Sequence, residues 1–196
     1  KGSRVLDLAC GTGRWLNKLL LRGARLGIGI DCSPAMITAA RRKPLLQGRL
    51  VRADCLALPL PSAAADFVMC SFAIGHFPEV EALAAELARV TSPQAAVYVS
   101  DVHPDAYRKG WRTGFRSNGQ AVEITTFYHS LTNVRDAFGG QGLELTQCIE
   151  GELGEPEKPI FEQARRLDRF YQYKGWPAVF ISRFSRPDSA QRYQGQ

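Results

Sequence analysis

Residues 4–13 of the sequence read Arg-Val-Leu-Asp-Leu-Ala-Cys-Gly-Thr-Gly. The first six are rich in branched apolar side chains and predict a buried strand over 4–9. Gly11 and Gly13 follow, and because they lack Cβ atoms they allow a tight turn and a close approach of the backbone to a ligand. A segment of helical period then runs from 13 to 22. A glycine-rich turn between a strand and a helix is where a doubly wound α/β sheet places a nucleotide.

The alternation of apolar runs and helical segments continues to about residue 100. It predicts a Rossmann-like α/β fold, a mostly parallel sheet with helices on its faces. Ser33 is a favoured N-cap residue and Pro34 suits the first helical position, and Pro78 is interpreted in the same way. The other strands predicted in this region are 25–30, 49–53, 66–70 and 95–100, and the other helices are 34–42 and 78–90.

After Ser100 the pattern changes. Residues 101–120 are irregular and rich in arginine and aromatic side chains, and Ser117-Asn118-Gly119 is a hairpin-turn signal. Residues 121–128 alternate like a strand, so we expect an inserted hairpin. The remaining predicted elements are a helix over 131–138 that Gly139-Gly140 ends, a strand over 143–149, a helix near 160–171 and a last strand over 178–184.

The composition favours one domain over residues 1–196. The chain is 45% hydrophobic and 22% charged, which suffices for one sizeable core. No run approaches the roughly 18 apolar residues of a membrane-spanning helix, so we expect a cytoplasmic protein without membrane association. The net charge of +6 is scattered along the chain, and it permits an anionic partner without requiring one.

Two aspartates follow the second and third predicted strands. Asp31 ends the second strand, roughly 20 residues after the glycine turn, where an acid accepts hydrogen bonds from ribose hydroxyls. Asp54 follows the third strand at the same edge of the sheet, where it could accept from an adenine amino group. The competing interpretation is a nicotinamide-dependent dehydrogenase, whose fingerprint needs a third glycine. Residues 14–16, directly after Gly13, read Arg-Trp-Leu and include no third glycine, which disfavours the dehydrogenase interpretation.

Over residues 4–101 the sequence resembles the class I S-adenosylmethionine-dependent methyltransferases of the small-molecule type. The resemblance rests on the 5–13 signature and extends through Leu-Pro-Leu-Pro at 58–61, Ala-Asp-Phe-Val at 65–68 and Cys-Ser-Phe at 70–72. Ala9 stands where many members have the first glycine, and little sequence precedes the first strand. Because the chain starts at Lys1 rather than Met, we expect that an N-terminal segment has been removed or that the chain is a fragment.

The resemblance implies a seven-stranded sheet in the order 3-2-1-4-5-7-6, with the last strand antiparallel. It implies S-adenosylmethionine as the cosubstrate and S-adenosylhomocysteine as the product. Residues 1–101 would then form the cofactor-binding half, about 102–130 a lid insertion, and 131–196 a C-terminal helix and strand pair. The cofactor-binding residues expected on this basis are Asp7, Ala9, Cys10, Gly11, Gly13, Asp31, Cys32, Met36, Asp54, Cys55, Leu56 and Cys70.

The acceptor side is less determined. Candidate bases are His103, His76 and His129, with His103 preferred because it follows the end of the fifth strand, and each could equally be structural. Asp101 could orient His103 or simply cap the loop. Aromatic side chains of the insertion could cover an acceptor pocket or form a small core of their own. Those expected in the lid are Trp111, Phe115 and Tyr128.

Other function classes are disfavoured or left open. Four cysteines follow the ends of consecutive strands, but packing of small thiols is more common than metal ligation, so we expect no metal site. No carboxylate cluster for Mg²⁺ and no RNA-recognition motif is found in the sequence. The predicted activity is methyl transfer to a small molecule. A non-catalytic domain that binds S-adenosylmethionine and, supported only by the basic charge, a nucleic-acid methyltransferase remain as alternatives.

Overall fold

The computed structural model describes residues 3–117 and 119–187. Seven strands form one sheet in the order β3-β2-β1-β4-β5-β9-β8, and β6 and β7 form a separate hairpin. The strands are β1 Arg4–Leu8, β2 Leu26–Asp31, β3 Leu50–Arg52, β4 Ala65–Ser71, β5 Thr91–Val102, β6 Gly114–Ser117, β7 Gln120–Glu123, β8 Glu144–Glu152 and β9 Pro177–Ser185.

The sheet confirms the predicted α/β fold and strand order. Strands β1 to β5 pair in parallel, and β9 is antiparallel to both of its neighbours, β5 and β8. With the hairpin left out of the numbering, the order is the 3-2-1-4-5-7-6 expected from the resemblance. The carboxyl ends of β1 to β5 therefore meet at one edge of the sheet.

Seven α-helices connect the strands in the described part of the chain. They are α1 Arg14–Leu21, α2 Pro34–Ala40, α3 Val80–Val90, α4 Pro104–Arg108, α5 Leu131–Gly140, α6 Lys158–Gln163 and α7 Leu167–Tyr173, and short 3₁₀ turns lie at Pro44–Leu46, Ile74–His76 and Glu155–Glu157. The Ser33 hydroxyl accepts from the N–H of Met36, which confirms the predicted cap of α2. Helix α3 begins only at Val80, after Glu79, so the expected role of Pro78 at its first position is wrong.

The core lies on both faces of the central strands, as expected for a parallel sheet covered by helices. Leu6 and Leu8 of β1 pack into the larger cluster, together with residues of β4, β5, α3 and α5. Val5 points to the opposite face, where it packs with Leu16 and Leu46. Leu8, Leu16 and Leu46 are fully buried, and each such side chain contributes about 1.5–3 kcal/mol to stability.

The insertion differs from the expectation. The hairpin is present, but its second strand ends at Glu123 rather than near residue 128. The chain leaves the hairpin there because the N–H of Phe127 donates to the carbonyl of Gly75 at 2.7 Å, which docks this segment on the main sheet's loops. The irregular segment also contains α4, which the sequence pattern did not predict.

Two helix predictions need correction as well. Helix α5 continues through Gly139 and Gly140 instead of stopping at Phe138. The helix predicted near 160–171 is two helices, α6 and α7, because Arg165 adopts a left-handed backbone conformation with φ of 54°. A residue in that region interrupts the helical hydrogen bonds.

Gly13 joins the glycine turn to α1 at a crowded position. Its φ is +69°, and a Cβ placed on it would lie 2.3 Å from Cδ1 of Leu46. Gly11 has a similar φ of +54°, but a Cβ there would meet no atom within 4 Å. The two glycines thus share a backbone requirement and differ in packing.

We therefore predict that Gly13→Ala is more destabilising than Gly11→Ala. Both variants incur the cost of a left-handed alanine, and Gly13→Ala adds about 1–3 kcal/mol from overpacking against buried Leu46. Urea unfolding of both variants measures the difference in the free energy of unfolding. Equal losses in the two variants would contradict the packing argument.

Candidate functional site

The turn after β1 is built from left-handed residues. Ala9, Gly11 and Gly13 have φ values of 50°, 54° and 69°. The N–H of Gly13 donates to the carbonyl of Cys10 at 2.8 Å, which closes the turn. Ala9 adopts a conformation that glycine takes more readily, in agreement with its place at the family's first glycine. The turn leaves the backbone of Gly11 open on the side where a Cβ would stand.

The carboxylate of Asp31 holds this turn in place. Its Oδ2 accepts from the N–H of Gly11 at 2.7 Å, and its Oδ1 accepts from the N–H of Ser33 at 2.8 Å. Asp31 is buried, with 8% of its surface exposed. Each carboxylate oxygen can accept a further hydrogen bond, so the group can bind hydroxyls while it keeps both backbone contacts.

Asp7, near the end of β1, connects this strand to the start of α1 across the turn. Its carboxyl is buried, and its Oδ2 accepts from the N–H of Leu16 in the first turn of α1 at 3.0 Å. Burial raises the pKa of Asp7 from its ordinary 3.8 to about 7, because desolvation disfavours the charged form more than the hydrogen bond from Leu16 favours it. The carboxyl is thus poised between its neutral and charged forms near neutral pH.

A cavity of about 630 Å³, here called the central cavity, opens at the carboxyl edge of the sheet. Of the expected cofactor-binding residues, Asp7, Gly13 and Cys70 do not line it. Asp54 lines it as an exposed side chain whose Oδ1 accepts from the N–H of Leu56 at 2.9 Å. The expected residues that the structure brings together in its wall are Ala9, Cys10, Gly11, Asp31, Cys32, Met36, Asp54, Cys55 and Leu56.

Other residues of the wall were not predicted. Phe72 has a φ of 54° and is 48% exposed, although it is a large apolar side chain. The hydroxyls of Ser71 and Ser100 lie 3.0 Å apart at the ends of β4 and β5. Because ligands of open α/β sheets bind outside the carboxyl ends of the strands, the residues after β4 could have been predicted to line the cavity. The unpredicted lining residues are Ser33, Ser71, Phe72, Ala73, Phe77, Pro78 and Ile124.

Three thiols line the central cavity. Burial raises the pKa of Cys10 to about 12 and that of Cys55 to about 11, which keeps both thiols protonated. Cys32 is exposed. Among residues 3–117 and 119–187, no group of three or more His, Cys, Asp or Glu side chains is arranged to hold a metal ion.

Of the three histidines, only His76 lines the central cavity, where its side chain is exposed. His103, the preferred candidate, is 4% exposed and lies outside the wall. Its Nδ1 accepts from the N–H of Asp105 at 3.1 Å, and its Nε2 lies 2.9 Å from Oε2 of Glu150. His103 therefore caps α4 and connects it to β8, and the structure does not bring it to the site.

His129 and Asp101 also have structural contacts. The Nε2 of His129 donates to the carbonyl of Phe77 at 2.7 Å, which fastens the segment after the hairpin to the loop after β4. Asp101 accepts from the N–H of Gly75 at 2.9 Å and has no hydrogen bond to His103. Asp101 therefore caps the loop after β4, which is the second of the two roles expected for it, rather than orienting His103.

Two of the aromatic residues expected in the lid, Trp111 and Tyr128, do not line the central cavity. Trp111 packs against Tyr173 of α7, with ring centroids 5.1 Å apart. Tyr128 is 45% exposed, and the guanidinium of Arg108 lies 5.5 Å from its ring centroid. The side chain of Phe115 is outside what the structure describes. From the insertion, only Ile124 among the described residues reaches the central cavity.

Comparisons with known proteins place these observations in a family. A family model described as a methyltransferase domain matches residues 5–94. A demethylmenaquinone methyltransferase from Thermus thermophilus is 40% identical over 106 residues, which are 52% of this chain and 48% of that protein. Residues 5–94 thus match a methyltransferase domain, and the chain is similar to class I S-adenosylmethionine-dependent methyltransferases in sequence and in fold.

Other methyltransferases are also similar to this chain. A malonyl-[acyl-carrier protein] O-methyltransferase from Halorhodospira halophila is 35% identical over 52% of this chain and 36% of its own length. The chain thus spans less than half the length of these two curated relatives. A solved S-adenosylmethionine-dependent methyltransferase from Mesorhizobium loti has a TM-score of 0.70 at 19% identity, covering 93% of this chain and 90% of its own. That likeness shows the fold alone.

The same fold recurs in a SAM-dependent methyltransferase from Methanosarcina mazei, with a TM-score of 0.71 at 16% identity over 95% of this chain and 94% of its own. The methyltransferase family uses S-adenosylmethionine as its cosubstrate. None of the helices in the described ranges is both long and apolar enough to cross a membrane.

The raised pKa of Asp7 predicts a pH dependence of stability. Between pH 3.8 and about 7 the folded state binds more protons at this site than the unfolded state, so the free energy of unfolding falls as the pH rises. Between pH 5 and pH 8 we expect the free energy of unfolding of the wild type to fall by about 2–3 kcal/mol more than that of Asp7→Asn. Urea unfolding of both proteins at the two pH values measures this, and parallel losses would contradict it.

The contacts of His103 predict a structural role. His103→Ala removes the cap of α4 and the contact with Glu150, so we expect a loss of about 1–2 kcal/mol in the free energy of unfolding. His103→Asn keeps an acceptor at the cap position and should lose less. Both variants should bind S-adenosylhomocysteine with wild-type affinity in calorimetric titrations. A tenfold weaker affinity for S-adenosylhomocysteine in either variant would contradict this structural role and indicate that His103 contributes to the cofactor site.

Proposed function

We propose that this chain transfers a methyl group from S-adenosylmethionine to a small-molecule acceptor. The observation that carries the proposal is that Gly11, Asp31 and Asp54 follow three neighbouring strands and line one cavity together. The names of the relatives support methyl transfer but differ in the acceptor, demethylmenaquinone for one and malonyl-[acyl-carrier protein] for another. The family model ends at residue 94, before the insertion. The acceptor must therefore be inferred from this chain's own residues.

The residues of the central cavity fit the cosubstrate. Asp31 retains acceptor capacity on both oxygens and would bind the two ribose hydroxyls. Asp54 would accept from the adenine amino group, while Met36 and Leu56 offer apolar surface to the base. The open side of Gly11 allows the methionine part to approach the backbone. About 630 Å³ is within the usual range of a ligand site.

The other end of the cavity is suited to an acceptor with apolar surface. Phe72, Phe77, Pro78 and Ile124 line it, and they would exclude water from the reacting atoms. Bound S-adenosylmethionine supplies a methyl group activated by a sulfonium. In the transfer, the bond from the methyl carbon to the acceptor's O, N or C forms while its bond to sulfur breaks, and sulfur keeps the electron pair.

The protein's contribution is mainly to hold the reacting atoms close and aligned. Where the acceptor must lose a proton, we propose His76 as the base, because it is the predicted histidine that lines the cavity. The assignments of His103 and His129 as bases are not supported by their positions. In this proposal residues 1–101 hold the cosubstrate, and the segment around Ile124 covers the acceptor.

A calorimetric titration with S-adenosylhomocysteine tests the cofactor site. Asp31→Ala removes the ribose acceptors and the support of the Gly11 turn, so we expect affinity to fall tenfold to a hundredfold, or about 1.4–2.8 kcal/mol. Asp136→Ala is the matched control, since Asp136 is an exposed acid on α5 that, among the described residues, pairs only with its neighbour Arg135. It should bind like the wild type.

Transfer itself is tested with S-adenosylmethionine labelled on the methyl group and a metabolite extract. The wild type should give a labelled product that is absent with Asp31→Ala. Wild-type affinity in Asp31→Ala would contradict the site. Binding of S-adenosylhomocysteine without any labelled product would instead favour the non-catalytic alternative.

A further inference from the structure

A second cavity lies apart from the central cavity, between the insertion and the two C-terminal helices α6 and α7. Its volume is about 450 Å³, which is sufficient for a small organic group. We call it the arginine pocket because, within residues 3–117 and 119–187, three arginines and no acidic residue line it. The side chains that matter are Trp111, Arg112, Phe161, Arg166, Arg169 and Tyr173.

The positive charge of the pocket is only weakly compensated. The side chain of Arg166 is exposed and makes no hydrogen bond or ion pair within residues 3–117 and 119–187. Arg169 donates to neutral partners, the Oε1 of Gln172 at 2.9 Å and the hydroxyl of Tyr173 at 3.1 Å. Its nearest carboxylate, Asp168, is 3.9 Å away and 73% exposed, so it interacts weakly in water.

Arg112 is held in a fixed position beside these two arginines. Its Nη1 donates to the carbonyls of Trp111 at 2.7 Å and Tyr107 at 3.2 Å, and its Nε lies 3.7 Å from Oε1 of Glu123. Guanidinium groups bind carboxylate and phosphate through several N–H donors at once. Three of them around one concave surface favour an anionic ligand.

The rest of the wall is mainly apolar and includes three aromatic side chains, which Trp176 outside the wall extends through its contact with Tyr173. Trp111 and Tyr173 pack with ring centroids 5.1 Å apart, and Tyr173 and Trp176 pack at 4.8 Å. The ammonium of Lys109 lies 5.1 Å from the ring centroid of Trp176. Aromatic rings packed in this way provide an apolar surface for a planar or hydrocarbon group. The ligand that fits both features is an organic anion with an apolar body.

The arginine pocket is connected to the proposed methyl-transfer site through shared residues. Arg112 also lines a third cavity of about 400 Å³, together with Tyr107, Thr113 and Tyr128. Ile124 lines both that third cavity and the central cavity. The three cavities therefore follow one another along the insertion, from the ends of the strands to α6 and α7.

We propose that the arginine pocket binds the anionic end of the methyl acceptor, an elongated organic molecule whose reacting end lies in the central cavity. The assignment to the acceptor depends on the proposed methyl transfer, whereas the preference for an organic anion depends only on the pocket. The insertion and the segment at the start of α7 then together select the acceptor by charge, at a distance from the reacting atoms.

Calorimetry with 1-naphthyl phosphate, 1-naphthoate and neutral 1-naphthol tests the preference of the pocket. We expect at least one anion to bind at least tenfold more tightly than 1-naphthol, and the two anions distinguish a phosphate from a carboxylate. The double variant Arg166→Gln/Arg169→Gln should lose this advantage. Arg166→Gln alone, which removes no side-chain hydrogen bond or ion pair from the described part of the protein, should lose part of this advantage.

Arg165→Gln is the matched control, because Arg165 is an exposed neighbour that does not line the pocket. It should bind the anions like the wild type. Equal binding of 1-naphthol and both anions, or equal losses in Arg165→Gln and Arg166→Gln, would overturn the proposed pocket. S-adenosylhomocysteine should bind all variants equally, so a failure of the pocket is distinct from a failure of the cofactor site.

The link to the acceptor is tested by the charge of the methylated product. The labelled product formed from the metabolite extract should be retained on an anion exchanger at neutral pH, and its yield should fall at least fivefold with Arg166→Gln/Arg169→Gln. A neutral or cationic product would overturn the assignment of the pocket to the acceptor.

Discussion

The carboxylate of Asp31 joins two parts of the fold that the chain alone would leave independent. One oxygen accepts from Gly11 in the turn after β1, and the other accepts from Ser33 at the start of α2. A buried carboxylate without such partners would be costly, so the two N–H groups and the acid stabilise one another. This arrangement sets the distance between the glycine turn and the α2 loop, and thereby the width of the central cavity. The proposed cosubstrate site thus depends on contacts within the protein itself.

A second constraint positions the acceptor side. Gly75 donates its N–H to buried Asp101 and accepts from Phe127. A Cβ on Gly75 would lie 2.7 Å from Cγ2 of Thr126, so the segment after the hairpin approaches this closely only because the residue is glycine. That approach brings Ile124 into the wall of the central cavity and places the third cavity beside it. The proposed acceptor region is therefore formed by packing of the insertion on the loop after β4.

The histidines illustrate why the cofactor side could be predicted better than the acceptor side. His103 follows β5 at the correct edge of the sheet, which is all that sequence position can indicate. Its ring is nevertheless turned away and engaged by Asp105 and Glu150, the latter 47 residues distant. His76 gave the same kind of signal and does line the cavity. Strand ends alone do not determine side-chain direction, because that direction depends on partners from other elements.

The sequence by itself determined the α/β class through short-range patterns: apolar periodicity, glycines in the turn and acids at the ends of strands. Its resemblance to a known family added the strand order and the expectation that residues from Ala9 to Leu56, nine of which line the central cavity, bind the cofactor. Only the tertiary structure decided which histidine reaches the central cavity, where the hairpin ends and that three arginines from two distant segments share one pocket. The physical reason is that these features arise from contacts between residues far apart in the chain, whose geometry no local pattern encodes.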